Sequence, residues 1–366
     1  MVKREDLLTR AGVPADLESG CPAPGNFYWR EPKSFVMTEP VDPIESQPAA
    51  PLPPAAAPVV PDHELIRLIA SGSGGEVWLA RNVLGTCRAV KIVREQNFAH
   101  QRTFEQEFNG IRHFEPLSRQ HDGLMNVLHV GFHEPDRYFY CVMELADDVC
   151  TGQNIRPDFY QPRTLEYETA VRERLPIGEC IRIGATVASA LGFLHRHGLI
   201  HRDIKPSNII FINGFPKLAD IGLVTEASGT RSQVGTEGFI PPEGSGTEAA
   251  DIYSLGKVLY EISTGMDRTD YPALPPNLGN TKTDYDLIRF NRFVLKACRA
   301  NPWSRYRSAE DLLLALLSFQ FGVEKPRQEQ LYLRLTKIVG IIGAIVLLAV
   351  VVASIWHLTW LLRHSD

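Results

Sequence analysis

The stretch HRDIKPSN, at residues 201–208, decides how the rest of the chain is interpreted. It brings a carboxylate, an ammonium and a carboxamide, from Asp203, Lys205 and Asn208, within a few positions of one another. Apolar runs lie on both sides, GLI before the stretch and IIF after it. Three charge-handling groups between two segments that favour burial indicate a rigid loop with a chemical role.

The composition excludes several classes of protein. The 366 residues are enough for two or three domains, and the hydrophobic fraction of 44% and charged fraction of 22% are typical of a globular chain. A formal net charge of -5 provides no overall positive field, so we expect no nucleic-acid partner. No two cysteines have C-x-x-C spacing, so neither a zinc site nor a redox dithiol is indicated.

The hydrophobic pattern predicts an α+β fold with two lobes. From Asp62 the chain alternates short β-like runs with turns, as in EVWLA, RAVKIV, NVLHVGF and YFYCVMEL. One helical stretch interrupts them, with Phe104, Phe108 and Ile111 at i, i+4 and i+7. After about residue 176 the periodicity is mainly helical, so a small β-rich lobe with one main helix precedes a larger helical lobe.

A glycine-rich turn lies in IASGSGGEVWLA, at residues 69–80. Gly72, Gly74 and Gly75 leave a strand-turn-strand free of side chains, so backbone amides can approach phosphate oxygens closely. This pattern alone is weak, because glycine-rich hairpins are common.

Lys91 lies inside the apolar run RAVKIV, where an ammonium is costly unless an anion pairs with it. Glu107 is the preferred partner, because Ile111 follows one helical turn later and marks the packed face. Glu105 remains an alternative. Lys91 by itself is also consistent with an edge-strand lysine that reaches solvent.

A second acidic position lies in FPKLADIGL, at residues 215–223, where Asp220 ends an apolar run. Asn208 and Asp220 offer oxygen donors suited to Mg²⁺ against phosphates. Asp203 is placed to orient an attacking hydroxyl, and Lys205 to neutralise charge on a transferred group.

In this order, the motifs resemble those of the eukaryotic-type (Hanks-type) serine/threonine protein kinase family, with bacterial membrane-anchored members as the nearest type. The resemblance runs from about Ile66 to about Leu316. It includes the later segment GTEGFIPPE at residues 235–243, which corresponds to the end of the activation segment, and DIYSLG at residues 251–256. In the family the aspartate of the latter, here Asp251, braces the catalytic loop.

The resemblance implies specific roles for single residues. Catalysis would depend on Asp203, Lys205, Asn208, Asp220, Lys91 and Glu107, with Asn208 and Asp220 holding Mg²⁺ or, in its place, Mn²⁺. ATP would contact Ile69, Gly72, Gly74, Gly75, Val77, Lys91, Met143, Glu144 and Ala146. Glu243 would pair with Arg305, and Lys205 together with Thr236 favours the serine/threonine class.

The same resemblance implies regulation by phosphorylation. Arg202 precedes the catalytic aspartate, so a phosphate on the activation segment would order the loop through an arginine–phosphate pair. Ser228, Thr230 and Ser232 are the candidate sites, and the sequence does not rank them. A merely polar loop is the alternative interpretation.

The chain departs from the family pattern at three places. Ala70 replaces the first loop glycine, and Ile221 replaces the phenylalanine of D-F-G. Neither change removes a catalytic group, so we expect an active enzyme with weaker ATP binding at most. Residues 147–176 follow the hinge, which is residues 144–146, and they are longer than a short connection to the next helix requires. They are either a substrate-contacting insertion or a surface loop.

The two ends of the chain differ from the kinase-like part. Residues 1–61 contain the proline-rich run PAAPLPPAAAPVVP and no signal peptide, which predicts a disordered region with a semi-rigid linker or, alternatively, a ligand for an adaptor protein. The kinase domain is expected at 62–320, with lobes at 62–145 and 177–320. A basic segment at 321–337 precedes an uncharged apolar run at 338–362 and a tail at 363–366.

The run at residues 338–362 spans roughly 37 Å as a helix and is predicted to cross a membrane. Lysines and arginines are concentrated before it, which places the kinase domain on the cytoplasmic side. The resemblance to bacterial members implies that the membrane is a bacterial inner membrane. We therefore expect a single-pass serine/threonine kinase that acts on proteins. Self-association would allow one copy to phosphorylate another, and the sequence leaves this open. The alternatives are a catalytically weak scaffold that binds nucleotide and partners and, less favoured because GTEGFIPPE suits peptide substrates, a small-molecule phosphotransferase.

Overall fold

The computed structural model describes residues 58–320, apart from residues 73, 99, 221–224, 227–234, 277 and 280. The N-terminal lobe is built on a five-stranded antiparallel sheet with the strand order β1-β2-β3-β5-β4. The strands are β1 (His63–Gly72), β2 (Gly75–Asn82), β3 (Cys87–Arg94), β4 (Val127–His133) and β5 (Tyr138–Met143). The register pairs Val77 with Lys91 and Lys91 with Cys141, so Lys91 lies on the central strand.

Helix α1 (Gln101–Ser118) packs on one face of this sheet. Its predicted apolar stripe is the contact surface, since Phe104 and Ile111 are buried and Phe108 packs against the same core. The ring centroids of Phe104 and Phe139 are 5.4 Å apart, which joins the helix to β5. This packing fixes the face of α1 that points toward Lys91. A short 3₁₀ helix, Glu95–Asn97, precedes α1.

The C-terminal lobe is mainly helical. Its helices are α2 (Leu165–Arg172), α3 (Ile177–Arg196), α4 (Glu248–Thr264), α5 (Lys282–Ala297) and α6 (Ala309–Gln320), with 3₁₀ turns at Pro206–Asn208, Arg268–Asp270 and Pro302–Ser304. Helix α3 lies at the centre and is more than half buried. A Cβ on Gly184 would lie 2.8 Å from Leu259, so glycine permits the close approach of α3 and α4.

The ends of the C-lobe helices follow from the sequence. The Thr247 side chain accepts a hydrogen bond from the Ala250 amide and begins α4, and Gly265 ends it with a φ of 71°. Thr281 and Asp284 form a reciprocal capping box at the start of α5. These caps fix where α4 starts, and therefore where Asp251 lies in its first turn.

Two short antiparallel strand pairs position the segments that carry the candidate catalytic residues. Strand β6 (Leu199–Ile200) pairs with β9 (Thr225–Glu226), and β7 (Ile209–Ile212) pairs with β8 (Phe215–Leu218). The loop between β6 and β7 and the residues after β8 therefore emerge side by side.

The predicted α+β architecture, with a β-rich first lobe and a helical second lobe, is confirmed for the described residues. Most of the predicted N-terminal region and the whole predicted membrane helix lie outside those residues. Among the described helices, only α3 is long and apolar enough to span a bilayer, and its burial is that of a core helix.

Candidate active site

The catalytic-loop group consists of Asp203, Lys205, Asn208 and Thr236, and its side chains are in mutual contact. The Asn208 amide donates to Asp203 Oδ2 at 3.0 Å, and Lys205 Nζ lies 2.8 Å from the same oxygen. Thr236 Oγ1 donates to Asp203 Oδ1 at 2.8 Å and accepts from Lys205 at 3.0 Å. The ammonium of Lys205 and the carboxamide of Asn208 therefore converge on the Asp203 carboxylate, together with the Thr236 hydroxyl.

Asp251 braces the loop from below. Its carboxylate is 1% exposed and accepts hydrogen bonds from the backbone amides of His201 and Arg202, both at 2.9 Å, and from the ring of His195 at 2.9 Å. Arg202 has a φ of 71°, a conformation that costs a non-glycine residue about 1–2 kcal/mol. The bonds to Asp251 offset this strain. His195 was missed in the sequence because nothing in its helix distinguishes it from a core residue.

Lys91 pairs with Asp220 rather than with the glutamate expected from the sequence. The distance from Lys91 Nζ to Asp220 Oδ1 is 2.6 Å. Glu107 is buried with an exposure of 8%, and its Oε1 has no hydrogen-bond partner. Glu105, the alternative partner, is exposed and bonds to Gln101. The choice of Glu107 as the inward-facing glutamate agrees with the structure, and the expected Lys91–Glu107 ion pair is not formed in it.

The second set, the lysine group, consists of Lys91, Glu107 and Asp220. Its electrostatics follow from the burial of Lys91 and Glu107 and from the charges that the three groups exert on one another. Burial is the largest influence on Lys91 and lowers its pKa, but the charges of Asp220 and Glu107 outweigh it and the net pKa is raised. Burial raises the pKa of Glu107 to about 7, against the opposing effect of Lys91. For Asp220, loss of hydration acts to raise the pKa, and Lys91 lowers it to about 2.

The oxygen donors predicted to hold a metal lie next to each other. The Ala219 amide donates to the Asn208 carbonyl at 2.8 Å, which brings Asp220 beside Asn208. The Asp220 side chain is 40% exposed, and its low pKa keeps it ionised at neutral pH. An ionised carboxylate and a carboxamide oxygen are hard donors of the kind that Mg²⁺ prefers, so this pair fits a magnesium ion.

The three loop glycines have different environments. Gly75 has a φ of 109°, and a Cβ there would lie 2.4 Å from the Ile92 carbonyl. Gly74 faces Lys91, since a Cβ would lie 3.5 Å from Nζ, whereas Gly72 has open space around it. The structure therefore makes Gly75 a packing requirement, and it leaves Gly72 and Gly74 as the positions where a phosphate can approach.

Ile69 and Val77 are half-buried and pack against the core beneath the glycine turn. The register pairs Ala70 with Val77, so the alanine that replaces the family's first loop glycine lies within the β1–β2 ladder.

The hinge follows β5, whose last residue is the buried Met143. The Glu144 carboxylate accepts from the Asn126 amide at 2.9 Å and from Lys217 at 2.6 Å, so the side chain points away from solvent and steadies the hinge. Within the described part of the chain, no hydrogen bond uses the Glu144 carbonyl or the Ala146 amide. The Ala146 carbonyl accepts one from the Tyr160 hydroxyl at 3.2 Å.

Arg305 and Glu243 form the predicted ion pair. Arg305 Nη1 and Nη2 each contact one carboxylate oxygen, with the second distance at 2.9 Å. The guanidinium is fully buried and also donates to the carbonyls of Ala249 and Arg299. This pair fixes the end of the P-P-E segment on α4.

Arg202 has two guanidinium nitrogens that form no hydrogen bond with the described residues. These are Nε and Nη2, and both are buried. Burial lowers the pKa of Arg202, against the opposing charge of Asp251. The candidate phosphorylation sites Ser228, Thr230 and Ser232 lie outside the described residues, as does Ile221.

The predicted insertion at 147–176 is an ordered structure with two parts. Residues 147–164 form a folded loop, and helix α2 follows it. The contact of Tyr160 with the hinge could not be predicted from the sequence, because the loop lacks helical or strand periodicity.

Comparison with known proteins gives a consistent result. Residues 63–306 match the family model described as the protein kinase domain. A probable serine/threonine-protein kinase of Clostridium perfringens, CPE1738, is 30% identical over 278 residues, covering 69% of this chain and 37% of the relative. PrkC of Bacillus subtilis is 29% identical, covering 68% and 39%, and PknB of Mycobacterium leprae is 29% identical, covering 71% and 43%. The chain thus spans about two fifths of the length of these relatives.

Proposed function

The chain belongs to the protein kinase domain family, and from this premise we propose that it transfers the γ-phosphoryl group of ATP to serine and threonine hydroxyls of proteins. The observation that carries the proposal is the catalytic-loop group: a carboxylate, an ammonium and a carboxamide in contact on a loop braced by Asp251. Such preorganisation is what phosphoryl transfer requires, because its catalysis is mainly positioning and electrostatic stabilisation.

Within this group each side chain has a distinct role. Asp203 accepts the hydrogen bond of the acceptor hydroxyl and orients its oxygen for attack, at the Oδ1 that Thr236 contacts in the structure. Lys205, 2.8 Å from Asp203, stabilises negative charge on the transferred group. Asn208 and Asp220 would hold magnesium, which supplies charge neutralisation of the phosphates when bound.

The nucleotide would lie between the glycine turn and the hinge. The Glu144 carbonyl and Ala146 amide offer an acceptor and a donor to the base, and Met143 limits access behind it. Lys91 would contact the α- and β-phosphates, with Glu107 behind it as a second anionic partner. Ile69 and Val77 would cover the base from the N-terminal lobe.

Support for serine and threonine as acceptors comes from the bond between Lys205 and Thr236 and from the relatives, whose names describe serine/threonine kinases. Regulation is proposed through Arg202, whose buried Nε and Nη2 would bind a phosphate on Ser228, Thr230 or Ser232. If a second copy adds that phosphate, the rate of phosphorylation per molecule rises with the concentration of the chain.

We further propose the domain organisation and location expected from the sequence. Residues 338–362 would anchor the chain in the membrane, and the basic segment at 321–337 would hold the kinase domain, residues 62–320, at the cytoplasmic face. Residues 1–61 would supply the proline-rich linker expected from the sequence.

One observation favours a second candidate function. The Lys91–Asp220 pair occupies the lysine and the metal-binding carboxylate at once, and Glu107 has a carboxylate oxygen without a partner. A chain locked in this arrangement would be a catalytically weak scaffold that binds partners.

Locating the phosphorylated residues distinguishes an active kinase from a catalytically weak scaffold. The full-length chain, purified in detergent, is incubated with Mg·ATP and a generic protein substrate, and phosphosites are located by mass spectrometry. We expect phosphoserine and phosphothreonine in the wild type, a loss of at least about a hundredfold in Asp203→Ala, and no loss in the exposed control Asp158→Ala. Equal phosphate in wild type and Asp203→Ala would contradict the proposal, and its absence from both would favour the scaffold.

A further inference from the structure

The loop at residues 147–164, here called the hinge strap, is held in place by two buried carboxylates, one that ties it to the C-terminal lobe and one that joins its two arms. Asp147 accepts from the amides of Asn213 and Gly214, both at 2.8 Å, which ties the strap to the β7–β8 turn. Its amide also donates to the Phe211 carbonyl at 2.7 Å. The start of the strap is therefore fixed in position relative to the catalytic lobe.

Asp148 holds the two arms of the strap together. It accepts from the amides of Cys150, Thr151 and Gln161 at 2.9, 2.8 and 2.9 Å. Although burial raises its pKa, these amide bonds outweigh the effect, so the pKa of Asp148 is lowered and the carboxylate stays charged. Gln161 directly follows Tyr160, so the position of Tyr160 is set by the strap's own hydrogen bonds.

Tyr160 connects the strap to the hinge and to the N-terminal lobe. Its side chain is 3% exposed, and its hydroxyl donates to the Ala146 carbonyl of the hinge at 3.2 Å. Its own carbonyl accepts a hydrogen bond from the Arg67 guanidinium on β1. Burial raises the pKa of the phenol, the carboxylates of Asp148 and Asp147 raise it further, and Arg67 opposes them. Tyr160 therefore contacts the hinge through its hydroxyl and β1 through its backbone carbonyl.

The order of groups along the hinge sets the orientation of the base. Adenine presents a donor at N6, an acceptor at N1 and a C–H at C2, in that order along one edge. The unused Glu144 carbonyl matches N6 and the unused Ala146 amide matches N1. The next hinge group is the Ala146 carbonyl, which accepts the Tyr160 hydroxyl. A base bound in this order would turn C2 toward that carbonyl and the phenol bonded to it.

We propose that Tyr160 forms the wall of the base site that faces C2 of adenine, and that it excludes purine nucleotides with a substituent at C2. This inference rests on the proposed function, because it requires the nucleotide to bind at the hinge. The strap cannot easily withdraw, since Asp147 and Asp148 anchor it, and a C2 substituent would have to displace the hydroxyl from Ala146. The insertion thus supplies a specificity-determining residue for the nucleotide rather than a surface decoration.

The test compares Mg·ATP with Mg·2-methylthio-ATP on the full-length chain, by displacement of a fluorescent ATP analogue. We expect the wild type to bind the substituted nucleotide at least about tenfold more weakly than ATP, the scale of discrimination that one added group produces in a closed pocket. Tyr160→Ala opens the wall and should bring the two dissociation constants within about threefold. Tyr160→Phe keeps the ring and should keep most of the discrimination.

Phe159→Ala is the matched control, because Phe159 is in the same strap and 71% exposed, and its ratio should equal that of the wild type. If Tyr160→Ala does not fold, as judged by thermal unfolding, Tyr160→Leu replaces it with the same expectation. Equal affinity of the wild type for both nucleotides, or an unchanged ratio in the truncated variant, would overturn the inference while leaving ATP binding intact. A wild type that binds neither nucleotide would overturn the proposed function instead.

Discussion

The two halves of the candidate site differ in how completely they are assembled. In the catalytic-loop group, both oxygens of Asp203 are contacted by other members, and the backbone beneath it is bonded to Asp251. In the lysine group, Lys91 contacts the carboxylate proposed to bind magnesium, and Glu107 Oε1 is buried without a partner. The first group comes from one lobe and the second from both, so the arrangement of the lobes controls only the second.

This difference predicts the largest loss of stability when the brace of the catalytic-loop group is broken. Asp251→Asn keeps the shape of the side chain but leaves one of three buried donors facing another donor. We expect a loss of about 3 kcal/mol in the free energy of unfolding, measured by denaturant titration. Asp158→Asn, at an exposed position, should change it by less than about 0.5 kcal/mol. An unfolding midpoint shared by both variants would show that the loop does not depend on Asp251.

Substitutions in the glycine turn should cost less stability than Asp251→Asn, and two of them form a matched pair. Gly75→Ala places a Cβ against the Ile92 carbonyl at a positive φ, and we expect it to cost about 2 kcal/mol of stability. Gly72→Ala meets no neighbouring atom, so the fold should keep its stability and only ATP affinity should change. Thermal unfolding and nucleotide titration of both variants measure this contrast. Equal loss of stability in the two variants would contradict the assignment of Gly75 to packing and of Gly72 to phosphate approach.

The pH dependence of stability tests the lysine group. Because the pKa of Glu107 is raised from 4.5 to about 7, the folded state holds a proton that the unfolded state has released between these values. Stability contributed by this group therefore falls as the pH rises from about 4.5 to 7, by about 2–3 kcal/mol. Glu107→Gln should flatten the profile, and the exposed Glu105→Gln should not. A wild-type profile that rises through this interval, unaltered by Glu107→Gln, would contradict the assignment.

Sequence reasoning succeeded where the determinants are local. The convergence of Asp203, Lys205 and Asn208 follows from a loop held between two buried strands, and the inward position of Glu107 follows from helical periodicity. It failed for the partner of Lys91, because that choice depends on the distance between the lobes. The separate roles of Gly72 and Gly75 depend on a φ angle and on a neighbouring carbonyl, which a string of glycines does not encode.

The contacts of the hinge strap could not be predicted from the sequence either. Tyr160 lies between segments without periodicity, and its contact with Ala146 depends on how Asp148 folds the loop. No pattern in the residues around it predicts that contact. By contrast, the pairing of Arg305 with Glu243 could be predicted, because the resemblance to the kinase family extends to both positions.

The central claim is that the catalytic-loop group is preformed and the lysine group is the part that rearranges. The most direct measurement is a crystal structure of the chain with magnesium and a non-hydrolysable ATP analogue. We predict that Lys91 Nζ leaves Asp220 and bonds to Glu107, while the contacts of Asp203 with Asn208 and Lys205 keep their present distances. A complex in which Lys91 stays 2.6 Å from Asp220, or in which the contacts of Asp203 are exchanged for others, would contradict the account.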